Sequence, residues 1–537
     1  MSHTTGNSEF TIHSSSSSAH NLTKPVIKLI LIGIITQIIY VIYIVGFPLI
    51  SNTQAGGPAA DLEILMRDYR WFAPIYTLGI FLLYYLFWQA IRIVFSVRRQ
   101  VAGRQSQMAS DDQQASRTAF RAPRFTLTPI DTLKLLILTF GLLFGFTLVW
   151  LYPITANDLF RYVLRGRVWA VYGESPMLVP PNNFPNDPYI AFAGEFGDWV
   201  SGYGPLWEIV VQAPLRLGAT DMVPGSISLK LILLLSYLIC AVLLGWFASP
   251  EKGSSLTALT FFAWNPLILM QGPGNGHNDL IFLTLMVLGI ILWERKLWWA
   301  ATLALILSAL AKASALLIIP LFVVVLLRHQ PTWPQRILKG LGVVLIGLLT
   351  IYLVYSVLGP VSETLRGVTD MLTTRRGFAV ASLLRMILRE VISWEVAETL
   401  PRATARYIFI CFYAWLLLQL WRQKLTLVTA GFLAYFSQLM LGRTFRIWYP
   451  MWLIPFAALH LTPATFWRTF LFGLTAELSI INYFVVWRWW LRDLPWEKLG
   501  LSTKLYYWPV MHTLTVPWLF GIPLFGPIII KWWQRRA

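Results

Sequence analysis

An acid followed by three arginines at the mouth of an apolar run is the first feature of this sequence with chemical content. Residues 157–176 read NDLFRYVLRGRVWAVYGESP, directly after the apolar PIDTLKLLILTFGLLFGFTLVWLYPITA. Asn157 or Asp158 can cap a helix there, and Gly173 with Pro176 can end it. At 3.6 residues per turn, Asp158, Arg161, Tyr162, Arg165 and Trp169 share one face, and Phe160, Leu164, Val168 and Val171 occupy the other. Such an amphipathic helix is expected to lie along a membrane surface, apolar side down, presenting one carboxylate among cations. Either the carboxylate is chemical, or Asp158 only caps the helix and pairs with Arg161 or Arg165. Arg167 points away from this face, toward headgroups or a neighbouring span.

Other polar constellations lie at the ends of apolar runs. The same loop continues into GYGPLW, where a restricted turn carries Tyr203 and Trp207, aromatics suited to a sugar or a lipid headgroup and equally to a membrane interface. GPGNGHND places His277, Asn278 and Asp279 on a glycine-rich loop whose backbone can approach a ligand closely. The His277 and Asp279 spacing alone does not make a metal site, and no metal is expected. Further cations are Arg375, Arg376, Arg443, Arg446 and Lys312; a guanidinium offers phosphate a bidentate fork, and a lysine inside an apolar run is costly without a function or a partner.

Composition says what must position these groups. Of 537 residues, 56% are hydrophobic and 13% charged, about half the usual charged share of a soluble chain. Apolar runs near the ~20 residues needed to cross a bilayer recur along the chain, giving an all-α polytopic membrane protein with about 12–14 spans. The net charge of +18 sits mostly in short loops between spans, which suits membrane orientation rather than nucleic acid. Cys240 and Cys411 lie in apolar runs, with neither a disulfide frame nor metal spacing.

The expected organisation is a disordered cytoplasmic tail over residues 1–25, with no cleavable signal, then two spans and a basic loop over 26–130. A membrane core over 131–462 carries the loop 154–226, and C-terminal spans fill 463–537. The arginines of loop 98–130, the ERK and WRQK turns and the C-terminal KWWQRRA set the cytoplasmic side, so both termini are expected inside. Loop 154–226, GPGNGHND, LGRTFRIWYP and the 359–404 segment then gather outside.

Three blocks in order resemble the bacterial polyprenol-phosphomannose-dependent α-1,6-mannosyltransferases, members of the GT-C glycosyltransferases. The first is Asp158, Tyr162, Gly166-Arg167, the turn Gly173–Pro176, and Ser201-Gly202-Tyr203-Gly204-Pro205-Leu206-Trp207. The second is Asn265-Pro266 with Gly276, His277, Asn278 and Asp279; the third is Tyr449, Pro450 and Trp452. The resemblance covers roughly residues 130–460. It departs at Ser175-Pro176-Met177, where the family reads Asn-Pro-Tyr, and along residues 178–200.

The resemblance implies a GT-C-type bundle in a bacterial cell membrane, using a polyprenyl-phosphate hexose, mannose first, and inverting its anomeric centre. Asp158 would act as general base on an acceptor hydroxyl of a glycan or glycolipid at the outer face. Arg161, Tyr162, Arg165, His277, Asn278, Lys312 and Arg446 would hold the donor, and Tyr203, Trp207, Asp279 and Tyr449 the acceptor. The lipid-linked sugar is a substrate, so no cofactor is expected, and the partners are donor, acceptor and membrane lipids. Two alternatives stay open: the same fold with another lipid-linked sugar such as a pentose, and a transporter or lipid flippase.

Overall fold

The computed structural model describes residues 15–54, 70, 72–112, 128–365, 378–482, 486 and 503–534. The apolar runs form helices, and among the described residues the only β pairings are three isolated bridges. Numbering the longer helices in chain order, α1 is Ser15–Gly46, α2 Phe72–Asp112, α3 Pro129–Val149, α4 Asp158–Ala170, α5 Pro205–Arg216, α6 Met222–Val242 and α7 Ser255–Ala263. There follow α8 Asp279–Glu294, α9 Trp298–Ala311, α10 Ile318–Arg328, α11 Trp333–Ser356, α12 Val380–Leu388, α13 Trp394–Trp421, α14 Leu427–Leu441, α15 Pro463–Ile481 and α16 Thr503–Gln534.

This is an all-α polytopic membrane protein. Among the described residues, seven helices are long and apolar enough to cross a bilayer, and four further apolar helices are shorter. About 12–14 spans were expected from the apolar runs. Several are instead short or broken: α8 and α9 have 16 and 14 residues. At 1.5 Å per residue they reach about 21–24 Å, short of the ~30 Å hydrocarbon core. Helix α8 is almost wholly covered by protein, and α9 buries one face while leaving Trp299 and Leu303 exposed; a helix can end at depth provided its freed backbone groups find partners. The run expected to span 448–462 is a 3-10 turn, Tyr449–Leu453, followed by the short helix Ile454–Leu459, all buried except the half-buried Tyr449. By contrast α11 and α13 expose Leu341, Leu345, Leu348, Ile408 and Ile410, which fits helices facing lipid.

Two boundaries moved. Helix α1 begins at Ser15, inside the Ser-rich segment expected to be disordered to residue 25. Helix α2 runs to Asp112, so the first part of the basic loop 98–130 is helical, while residues 113–127 lie outside the described residues. Arg375 and Arg376 and most of the 487–509 segment also lie outside them.

The loop after α3 is held as part of the core. Helix α4 packs on α5, and α5 packs on the end of α9. Gly204, which caps α5, is set against the backbone carbonyl of Leu310, so close that no Cβ could be accommodated. That contact places the GYGPLW turn directly against the point where α9 stops, one residue before Lys312. Overpacking a site bounded by backbone costs about 1–3 kcal/mol. Gly204→Ala is therefore expected to lower the melting temperature of the detergent-purified protein relative to Gly521→Ala, where a Cβ meets open space on an ordinary helical backbone, as read by thermal shift.

Candidate functional site

Helix α4 carries the acid that heads the site. Its cap is Asn157, whose side chain makes no capping hydrogen bond, so Asp158 stands in the first turn with its carboxylate free for other partners. Oδ1 accepts from Arg161 Nη1 at 3.1 Å, and Oδ2 lies 3.8 Å from His277 Nδ1. Asp158 is 9% exposed. Burial pushes its carboxyl up, but the positive charges of Arg161, then Arg446 and Lys312, outweigh it and hold Asp158 below the usual carboxylate value. It is ionised at neutral pH.

The helix does not lie on a wet surface. Asp158, Tyr162, Arg165 and Arg167 are all buried, because the turn Ile190–Phe196 and helix α5 cover the face expected to meet water. Arg161 stacks over the Phe196 ring at 3.8 Å while it holds Asp158. Arg165, expected to share that task, faces the other way along α4: its guanidinium sits 5.6 Å from the Tyr203 ring and acts on Glu208. Glu208 is itself buried, accepts from Ser201 Oγ, and burial raises its carboxyl against the pull of Arg165.

The second block brings a polar loop into contact with the first. Asn265 caps the short helix Pro266–Leu269, a π turn follows over Met270–Gly274, and Gly276 takes φ +78° over Leu159. Asn275 then stitches the two segments together. Its Oδ1 accepts from the backbone of Ile154 at 2.7 Å and Thr155 at 3.0 Å, and its Nδ2 donates to Met270 O at 2.6 Å. His277 is fully buried and stacked on Trp448, centroids 3.7 Å apart. Burial pulls its imidazole down to about 4 despite the nearby Asp158 and Asp279 carboxylates, so the ring is neutral at physiological pH.

Lys312 sits where α9 breaks, in extended conformation at φ −155° and ψ 126°. Helices α8 and α9 form a hairpin that leaves the site at Asp279 and returns to it at Lys312. There Lys312 Nζ meets Asp279 Oδ2 at 2.7 Å and Asn278 Oδ1 at 3.4 Å. Trp452 Nε1 donates to Asp279 Oδ1 at 2.6 Å. Both oxygens of the fully buried Asp279 are thus engaged. Trp207 is fully buried and edge-on to Tyr162 at 5.0 Å. Tyr162 is buried in the same cluster, against Tyr203 at 4.9 Å. Tyr203 and Tyr449 stay half-buried, with Tyr449 stacked on Trp452 at 4.3 Å. Arg446 is exposed, and its side chain makes no hydrogen bond or ion pair among the described residues, yet it acts on both Asp158 and His277.

The three blocks therefore converge, and the site combines an ionised carboxylate, a neutral imidazole and cations on one side. Residues 117–328 match the model of the alpha-(1->6)-mannopyranosyltransferase N-terminal domain. The match takes in Asp158, His277, Asp279 and Lys312 and stops before Arg446 and Tyr449. It agrees with the resemblance carried by the motifs. The chain is also 28% identical over 194 residues to alpha-(1->6)-mannopyranosyltransferase A of Mycobacterium tuberculosis (strain ATCC 25618 / H37Rv), an alignment spanning 34% of this chain and 36% of that relative. The chain thus spans about a third of the length of the curated relative it matches.

Several site residues were not singled out by residue type. Thr155 in the loop before α4, Gln271 in the π turn and Asn275 within GPGNGHND are ordinary polar residues whose role depends on which segments meet. Lys230 and Glu477 did carry a signal, since each is an ionisable residue in the middle of an apolar run. Lys230 is fully buried and donates to the carbonyls of Leu148 and Leu151, closing the end of α3 just ahead of Asp158.

Arg167 does anchor α4, although to protein rather than headgroups. Its Nε and Nη2 each reach Asp187 Oδ2 at 2.9 Å, and Nη1 donates to Thr220 O at 2.6 Å. Breaking a buried pair by removing one partner costs about 3–5 kcal/mol. Arg167→Ala is expected to reduce folded yield and thermal stability markedly, whereas Arg446→Ala leaves both near wild type; monodispersity on size exclusion and thermal shift read the difference.

Proposed function

We propose that this chain is a membrane mannosyltransferase, moving mannose from a polyprenyl-phosphate donor to a hydroxyl of a glycan or glycolipid at the outer face. The observation that carries the reading is the ionised Asp158 carboxylate beside an exposed, unpaired Arg446 and the half-buried Lys312. The sugar rests on the mannopyranosyltransferase names of the mycobacterial relative and of the matching family.

A sugar hydroxyl is a weak nucleophile, and a carboxylate within hydrogen-bond reach can take its proton as the new bond forms. In this reading the acceptor oxygen bonds to the anomeric carbon, the bond from that carbon to the phosphate oxygen breaks, and its electron pair leaves with the polyprenyl phosphate. The single displacement inverts the anomeric centre. Arg446 and Lys312 supply fixed positive charge where the leaving phosphate gains negative charge. Tyr203 and Tyr449 are the aromatic faces open to a sugar ring.

Asp158→Asn is expected to keep fold and donor binding and to cut turnover at least about 10², the scale of lost general-base catalysis. The assay is transfer of labelled mannose from synthetic polyprenyl-phosphate mannose by purified protein. Turnover near wild type would reduce Asp158 to a structural ion-pair partner of Arg161.

The sidedness belongs to the same reading. With Cys240 and Cys411 replaced, a cysteine at Leu217, 90% exposed after α5, is expected to react with an impermeant maleimide on intact cells. A cysteine at Lys424, in the exposed WRQK turn, is expected to react only after permeabilisation. The reverse pattern would place the site in the cytoplasm.

A further inference from the structure

A line of buried polar side chains runs from the bundle interior to Asp158, and most of it lies outside the motifs. It begins at Glu477, fully buried in α15, whose Oε1 accepts from Gln271 Nε2 at 2.8 Å. That contact turns the amide so that Gln271 Oε1 faces Thr155, whose hydroxyl donates to it at 2.9 Å. Thr155 Oγ1 also lies 3.5 Å from His277 Nε2. A threonine hydroxyl has one proton, and here it is committed to Gln271. Toward His277 the oxygen can only accept, so the imidazole proton sits on Nε2. Nδ1 is then bare. It is buried, has no hydrogen-bond partner among the described residues, and lies 3.8 Å from Asp158 Oδ2.

A lone pair aimed at a carboxylate gives the resting site nothing. It becomes useful once the carboxylate carries a proton. The geometry points to His277 as the proton-accepting partner of Asp158, held in the Nε2–H tautomer by Thr155, Gln271 and Glu477. This inference rests on the reading of Asp158 as base. As the acceptor hydroxyl gives its proton to Asp158 Oδ2, the new O–H turns to Nδ1 and forms a hydrogen bond that the ground state lacks. Such an interaction strengthens only along the reaction and so favours the transition state over bound substrate. The proton then rests between Oδ2 and Nδ1 while the bond electrons leave with the phosphate; no charge is created beyond what transfer requires. The opposite tautomer would donate from Nδ1 to the carboxylate at rest and make Asp158 a weaker base. The stack on Trp448 fixes the ring plane in which this direction is defined.

The other charged groups facing His277 are Asp279, Lys312 and Arg446. The first two are locked to each other at 2.7 Å and do not contest Nδ1. His277 acts through Asp158 and is a positioning residue in this scheme, as are the three behind it.

The test reads the tautomer directly and needs no turnover. The full-length protein in nanodiscs, labelled with ¹⁵N-histidine, is compared with His277→Gln to assign one of its seven imidazoles. The expected result is a neutral ring with its proton on Nε2, identified because Nε2 couples to both ring carbon-bound protons and Nδ1 chiefly to one. Thr155→Val should mix or reverse the tautomers and lower kcat about 10-fold, part of the ~10²–10⁴ that positioned proton transfer supplies, with donor KM unchanged. Thr155→Ser should restore both spectrum and rate. A wild-type ring protonated on Nδ1 overturns the inference even where mannosyl transfer is robust. A correct tautomer in a protein that transfers no mannose leaves the imidazole assignment standing and sinks the proposed function instead. A Thr155→Val enzyme with the wild-type spectrum and rate also overturns it.

Discussion

A carboxylate removed from water has to be matched, and at this site two of them are. Asp158 and Asp279 lie at the heads of α4 and α8, both buried. An unpaired buried charge costs several kcal/mol even after relaxation, so each acid requires its own cation within reach. Arg161 serves the first from the next turn of the same helix, and Lys312 serves the second from across the α8–α9 hairpin. The second pairing depends on breaks in the bundle, because a continuous helix through residue 312 could not extend its backbone there. The exposed carbonyls and amides that such breaks create are met by Asn265, Asn275 and Lys230. Irregular backbone at depth is therefore the means by which charged groups are held together, and the polar stitches are what make it tolerable.

The same logic divides the cations. Arg161 and Arg167 are spent on Asp158 and Asp187, while Lys312 is positioned by Asp279 and keeps a half-buried ammonium at the site. Arg446 has no such partner among the described residues and stays exposed, so its charge is available to an incoming anion. Sequence position alone did not make this division. Arg161, Arg165 and Asp158 share a helical face by spacing, but the side chains diverge because the Phe196 ring offers Arg161 a stacking surface and Tyr203 offers one to Arg165.

What was legible in the sequence follows from which interactions are local. The helical class, the amphipathic segment at 158–170 and the convergence of three polar blocks could be read from periodicity, spacing and resemblance. The break at Lys312 could be anticipated from the cost of a lysine in an apolar run. The number of full crossings could not, since α8 and α9 are apolar for the same reason a span is, and only their neighbours show that protein rather than lipid surrounds them. Asp279 and Trp207 stood out by residue type; that Lys312, Trp452 and Tyr162 pack against them could not be read, because none of those contacts lies within 275–279 or 201–207. Glu477 was visible in principle as an acid in LFGLTAELSII, but its meaning depends on Gln271, a partner some two hundred positions away.

Glu477 also ties the first two spans to the site, although both lie ahead of the matched segment 117–328. Tyr40, Tyr43, Tyr76 and Tyr84, from α1 and α2, are buried and within electrostatic reach of this carboxyl. Helix α2 packs on α15 so closely that a Cβ at Gly473 would meet the Tyr84 hydroxyl, and Tyr84 lies edge-on to Phe470 at 5.2 Å. Four buried phenols within electrostatic reach of one buried acid make an arrangement that is expensive to build in an apolar bundle and hard to account for by packing alone. It is reasonable only if the position of Glu477 matters, and that position is what orients Gln271, then Thr155, then the His277 ring. On this argument the N-terminal spans are part of the active-site scaffold: they hold the far end of a hydrogen-bonded line whose near end faces Asp158.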